Sequence, residues 1–381
     1  MLRKPFASER IQRIDPTTGV KVIQMTSYPT PSVALLYEWP GITPDDGRVL
    51  FMSQRFGRRG APWDLFRCDT DGLNLFQLTE RDQHIHPPVF DKENAPICLL
   101  SLDGRTLYVA WNGDPVLYAV DVETGRIDKI ASLENVPQGV HYQHMRLSGN
   151  GSRLFVIIRK PSVGVMRIDL STGTVVKLDL SGLLWACDPT APRLVVWKNT
   201  AIHGDQLPDY VTLVQTQGAR GYWSTDEDGG DAQFIATDTF AHGSILGITG
   251  GLQGCGIPPD RCIWVMPKDE PAEKIVQGPY FWHSGPSWDG EWIIADTNWP
   301  DQELQLIHVP SRHFRTLCHA GASQDHVRAG HPHPALSHDG RLAVFTSDRT
   351  GVAQVYIAHI SDDFRESVIA GELDNPRDKW M

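Results

Sequence analysis

HPHPALSHDGRLAVFTSD, residues 331–348, decides how the chain folds. Its Asp339-Gly340 pair supplies the backbone angles of a tight hairpin, and the runs on either side are apolar, β-branched or aromatic. The arrangement returns in PSWDGEWIIADT from Pro286, RLSGNGSRLFVII from Arg146, LLSLDGRTLYVAW from Leu99 and ITPDDGRVLFMSQ from Ile42. A third strand repeats as well, in VLYAVDVETGRIDKI from Val116 and VMRIDLSTGTVVKL from Val165, each leading through a Thr-Gly turn into an outer strand. Units recur near residues 36–80, 84–133, 141–180, 182–237, 240–277, 281–318 and 329–360. Seven four-stranded units predict an all-β, seven-bladed β-propeller. The last unit stops at VYIAHI without an outer strand, while VKVIQMTS (residues 20–27) reads like the outer strand NLFQLTE of the first. The N-terminal strand is therefore expected to complete the last blade and close the ring. An eight-bladed propeller or a pair of β-sandwiches are the alternatives. No low-complexity linker divides residues 1–381, so one domain is expected.

Composition narrows the function. Hydrophobic residues are 41% and charged residues 21%, as in soluble globular proteins. The net charge is -11 with no basic tract, which argues against a nucleic-acid partner. No run of about 18 apolar residues is present to span a membrane, and the N-terminal residues lack the apolar core of a signal peptide. A cytoplasmic location and free thiols at Cys68, Cys98, Cys187, Cys255, Cys262 and Cys318 are expected. The segment 206–221 in blade four is the expected place for an extended functional loop.

Histidines fall at one place in the repeat. His283, His333 and His144 each lie six residues before Asp289, Asp339 and Asn150 of their turns. Such an offset puts them at matching positions on innermost strands of different blades, where side chains converge on the channel mouth. His331 precedes His333 by two, the strand period that places both on one side. His242 opens the inner strand of blade five and His86 that of blade two. Neutral imidazoles are common ligands of Mn, Fe, Ni and Zn, so a divalent metal is expected among His283, His331 and His333. Each His precedes a proline, which predicts extended backbone at both. Arg220 could clamp a carboxylate with paired hydrogen bonds, or form an ion pair with Asp226 or Asp228. His326 or Gln324 could supply a fourth ligand. Any one histidine alone would more often bond only backbone or water; the joint placement is what carries the metal reading.

These residues resemble a family. HPHPALSHDGRLAVFTSDRTGVAQVYIA, WHSGPSWDGEWIIADT and ARGYWSTDEDGGDAQF followed by His242 resemble, in order and spacing, segments of the oligogalacturonate lyases. Those are seven-bladed propellers that cleave pectin fragments in the bacterial cytoplasm. The resemblance covers blades four to seven; the N-terminal half is similar only as a propeller. It implies metal ligands at His283, His331 and His333, manganese as the metal, a general base at His242 and a substrate arginine at Arg220. It further implies an acidic oligosaccharide as substrate; His144, His86 and Arg328 are expected to contact it. Arg328 stands where the family has a ligand glutamine, and arginine cannot coordinate a cation; Gln324 or His326 would substitute, or three protein ligands would remain. A lyase or isomerase for another acidic sugar, or a non-catalytic propeller that binds partners, are the competing readings.

Overall fold

The computed structural model describes residues 4–35, 40–55, 63–80, 95–133, 140–160, 164–180, 182–199, 220–237, 240–257, 259–324 and 330–372. They form a seven-bladed β-propeller of seven antiparallel sheets. Blades two to six each hold four consecutive strands, running from Ile97–Leu100 to Ile127–Ser132 in blade two and from Tyr280–Pro286 to His313–His319 in blade six. Blade one begins at Ser32–Ala34, a few residues earlier than the turn pattern suggests. The first strand of each blade lies innermost, and in blades two to six the fourth lies outermost.

The hairpins between first and second strands are built alike. Ser287 Oγ donates to Asp289 Oδ1 and accepts from the Trp292 N–H at 3.0 Å. Ser337 with Asp339, Ser101 with Asp103, and Ser148 with Asn150 repeat this. Gly290, Gly340, Gly104 and Gly151 hold the left-handed position that an L side chain rarely adopts. In blade one Asp46, not Gly47, takes that position, with φ 53°.

All seven blades contribute to one cavity of about 160 Å³ on the face carrying these hairpins, among them Leu100, Leu147, Trp185, Ile245, Trp288 and Leu336. The opposite face therefore receives the starts of the first and third strands and the ends of the second. Between blades the core is apolar: Leu99, Ala110 and Leu117 of blade two pack against Met145, Leu147 and Leu154 of blade three.

The ring closes as expected. Lys21–Gln24 pairs with Gln354–His359, setting Val22 opposite Ala358 and Ile23 opposite Ile357. Two further strands were not anticipated. Ile11–Ile14 adds a fifth strand outside Lys21–Gln24, and Lys4–Pro5 pairs with Phe76–Gln77 at the rim of blade one. The N-terminal segment thus grips the blades on both sides of the seam. Arg55, almost fully buried, is stapled to Glu9 there, and the Glu9 carboxylate also accepts the Ser27 N–H at 2.8 Å. A helix, α1 (Asp362–Ala370), follows the last blade and buries Phe364 and Val368 in the core shared by blades six and seven.

Candidate functional site

Blade six supplies the first imidazole. His283 is the fourth residue of Tyr280–Pro286, a strand that loses regular register between Phe281 and Ser284. The irregularity turns its N–H toward Asp296, whose Oδ1 accepts it at 2.7 Å. The other carboxylate oxygen, Oδ2, lies 3.0 Å from His283 Nδ1. Asp296 is fully buried and His283 only 4% exposed. A buried carboxylate beside Nδ1 fixes the tautomer with the proton on Nδ1 and the lone pair on Nε2, the state a metal-binding imidazole requires.

Blade seven supplies the second and third. His331 and His333 lie in the segment entering Ala335–Leu336 rather than on a paired strand. The expected extended geometry fails at His333, where φ is 44°. This left-handed residue, and not strand alternation, brings both rings to one place: their planes are 26° apart with centroids at 5.6 Å. The His333 N–H donates to Asp296 Oδ2 at 3.3 Å, so one carboxylate holds ligand candidates from two blades. The His283 ring is 4.2 Å from that of His333 and 5.5 Å from that of His331. One nitrogen from each of the three lies within 4.8 Å of the others. Three imidazole donors in that compass, one pre-oriented by a buried carboxylate, fit a divalent transition metal.

Blade five supplies a fourth histidine that is not part of the cluster. His242 sits where the register slips between Ala241 and Ser244, with φ 48°. Its ring is 4.8 Å from His283 and 4.9 Å from Trp282, and the residue is exposed. An exposed imidazole beside the donor triad can exchange protons with a molecule held there.

The remaining expected residues divide. Gln324 meets the backbone next to His331: its N–H reaches the Gly330 carbonyl at 3.3 Å, and its side-chain amide is buried with no hydrogen-bond partner among the described residues. Arg220, 6% exposed, opens the third strand of blade four on the histidine face. An ion pair with Asp226 does not form, since Asp226 ends the same strand about 20 Å away; Asp228 instead pairs with Arg167. His144 lies on the inner strand of blade three, two blades from His242 and outside the triad. His86, His326, Arg328 and most of the segment 206–221 lie outside the described residues. All six cysteines are free, and burial pushes the Cys262 thiol up to about 12. Among the described residues no helix is long and apolar enough to cross a membrane. Sequence reasoning assigned no role to Asp296. Its signal was an acid at the end of an apolar run, IIAD, where a buried carboxylate needs a partner.

Fold and site together define a class: a seven-bladed propeller with a histidine cluster at one mouth of its channel. No protein-family profile and no curated protein matches the chain. Among solved structures it is similar to an oligogalacturonate lyase in complex with manganese, with a TM-score of 0.76 and 19% identity over 96% of this chain and 99% of that one. It is also similar to an oligogalacturonate lyase from Vibrio parahaemolyticus, with a TM-score of 0.75 and 17% identity over 96% and 100% of the two chains. A chain of a mitotic checkpoint complex follows at a TM-score of 0.52 and 14% identity, over 94% of both. Identities this low establish likeness of fold. The resemblance to the oligogalacturonate lyases therefore extends in fold over nearly the whole chain, beyond blades four to seven.

Proposed function

We propose that the protein is a metal-dependent lyase that cleaves uronate-containing oligosaccharides, such as oligogalacturonates, by β-elimination. The observation that carries this reading is the triad of His283, His331 and His333, oriented through Asp296, with His242 beside it and outside it. His283, His331 and His333 would hold the cation, manganese by analogy with the similar lyase structure, and Gln324, whose backbone N–H meets the Gly330 carbonyl next to His331, would add an oxygen. When bound, the cation would neutralise the substrate carboxylate, which otherwise opposes loss of the adjacent proton.

The chain's own residues would do the rest. His242 accepts the proton from the carbon next to the carboxylate. The electron pair released forms the 4,5 double bond as the 4-oxygen departs, taking a proton from water at the open mouth. Arg220 donates to the carboxylate, orients the ring and stabilises the charge that develops. His144, with His86 and Arg328, would contact sugar units further along. The acidic net charge need not oppose binding of an acidic sugar, because a cation held by the three histidines would supply the largest local charge at the mouth.

The test is the rate of unsaturated-product formation by His242→Ala on digalacturonate. General-base catalysis contributes about 10²–10⁴-fold, so the rate falls by that factor while substrate affinity changes little. Arg220→Ala lowers both rate and affinity, since a carboxylate clamp acts in the ground state and the transition state alike. Full activity in His242→Ala would exclude that base.

A further inference from the structure

An aromatic strip leads out of the site along blade six. Trp282 leans on His242, and Tyr280 follows it at a ring separation of 5.5 Å. Contact between the two rings puts both side chains on one side of the strand. Tyr280 stands directly opposite Trp299 in the strand register, and directly opposed residues also share a side. The Trp299 ring is 46% exposed. Arg261, at the start of the third strand of blade five, carries its guanidinium 5.0 Å from the Trp299 ring. Its neighbour Asp260 is taken by Lys274 Nζ at 2.8 Å, and among the described residues Arg261 has no carboxylate partner. The strip therefore starts at the proposed base, runs over three aromatic rings and ends at an available cation on the seam of blades five and six.

A large exposed tryptophan carrying a cation suits a ligand with both an apolar face and a negative charge. A pyranose presents C–H groups on one face, and a uronate adds a carboxylate at its rim. We infer that Trp299 and Arg261 form an outlying subsite for a further uronate unit of the same chain, with Trp299 stacking on the ring and Arg261 pairing with its carboxylate. The inference rests on the proposed uronide reading. It makes the preferred substrate longer than a disaccharide, because binding energy from a remote unit supports the reacting one.

The experiment compares digalacturonate with tetragalacturonate. Binding is read by titration calorimetry on the metal-loaded, full-length His242→Ala protein, which holds the sugar uncleaved; kcat/KM is read on the protein with His242 in place. The tetramer should bind about tenfold more tightly than the dimer, the worth of one charge-assisted contact. Trp299→Ala and Arg261→Ala should each collapse that ratio, and Trp299→Phe should keep most of it. Both positions are at the surface, and an unchanged melting temperature checks the fold of each variant. A ratio near one, or a ratio that survives both alanine variants, overturns the subsite. Turnover of both lengths without a tetramer preference would retain the lyase and remove the subsite. Tetramer-selective binding that Trp299→Ala abolishes, without elimination, would retain the subsite and remove the lyase.

Discussion

His242 and His333 both hold left-handed backbone, at φ 48° and 44°, a conformation that costs about 1–3 kcal/mol for a residue other than glycine. Each lies where regular strand geometry would send its ring elsewhere, and each flip brings the ring beside His283. Asp296 holds the other end of this arrangement, accepting the backbone N–H groups of His283 and His333 while lying against His283 Nδ1. Replacing Asp296 by Asn keeps the shape and offers an amide where the ring needs an acceptor. Loss of such a partner lowers metal affinity about 10–100-fold. Asp296→Asn should therefore weaken Mn²⁺ binding by that factor in calorimetry, with the far-ultraviolet dichroism of the sheets retained. Unchanged affinity would mean that the carboxylate only supports the fold. The triad was legible because His283 and His333 stand at the same distance from their repeated turns and His331 stands two residues before His333. Asp296 was not, because its role exists only when two blades meet.

Strands and turns show the same division. The Asp-Gly hairpins and the missing outer strand of the last blade declare themselves in sequence. The extra strand Ile11–Ile14 does not, although Asp15-Pro16-Thr17-Thr18-Gly19 repeats the Asp121–Gly125 turn: Asp15 Oδ1 accepts the Thr17 and Thr18 N–H groups as Asp121 Oδ1 accepts those of Glu123 and Thr124. Helix α1 carried its own signals: Ser361 caps the Phe364 N–H, Asp362 and Asp363 fill the first turn, and Gly371 ends it at φ 76°. Deleting residues 1–27 removes the buried Val22, Ile23 and Met25 and leaves Gln354–His359 as a bare edge. Each buried side chain contributes about 1.5–3 kcal/mol, so the melting temperature should fall by at least about 5 °C. An unchanged melting curve would show that the seam does not depend on this strand.

The seam also carries a pH dependence. Asp46 of the first blade's turn accepts the His338 N–H at 3.0 Å from the last blade and faces the Asp339 carboxyl. Burial, and then the Asp339 charge, push its carboxyl up to about 6. A raised carboxyl binds its proton more tightly folded than unfolded. Its contribution to stability is full below about 4 and is lost as pH rises through about 6. Asp46→Asn removes the charge, and asparagine tolerates the left-handed backbone there. Thermal melts should show a gain at pH 7–8 that vanishes near pH 4; a gain independent of pH would place the effect elsewhere.

At the scale of the molecule, a propeller converts a linear repeat into a radial one. Residues 220, 242, 283 and 331–333 are spread over more than a hundred positions, yet each lies in, or just before, a first or third strand. All are delivered to the same face by sheets that never cross. The hairpin face receives the apolar cavity instead, and the asymmetry separates the packing end of the channel from the end proposed for chemistry. Fold class was readable from turn chemistry alone, because closure of a ring needs only a count of blades and one missing strand. The chemistry was readable only where the repeat itself marked a position, and what joins one blade to the next was hidden. The central claim is that this face eliminates uronides with a metal held by three histidines. It is tested most directly by the absorbance of the unsaturated product when metal-stripped protein is given digalacturonate and then Mn²⁺. No product is expected before the metal, steady product after it, and none at any stage in a His331→Ala, His333→Ala double variant that still folds. Product at the same rate without metal, or in the double variant, would contradict it.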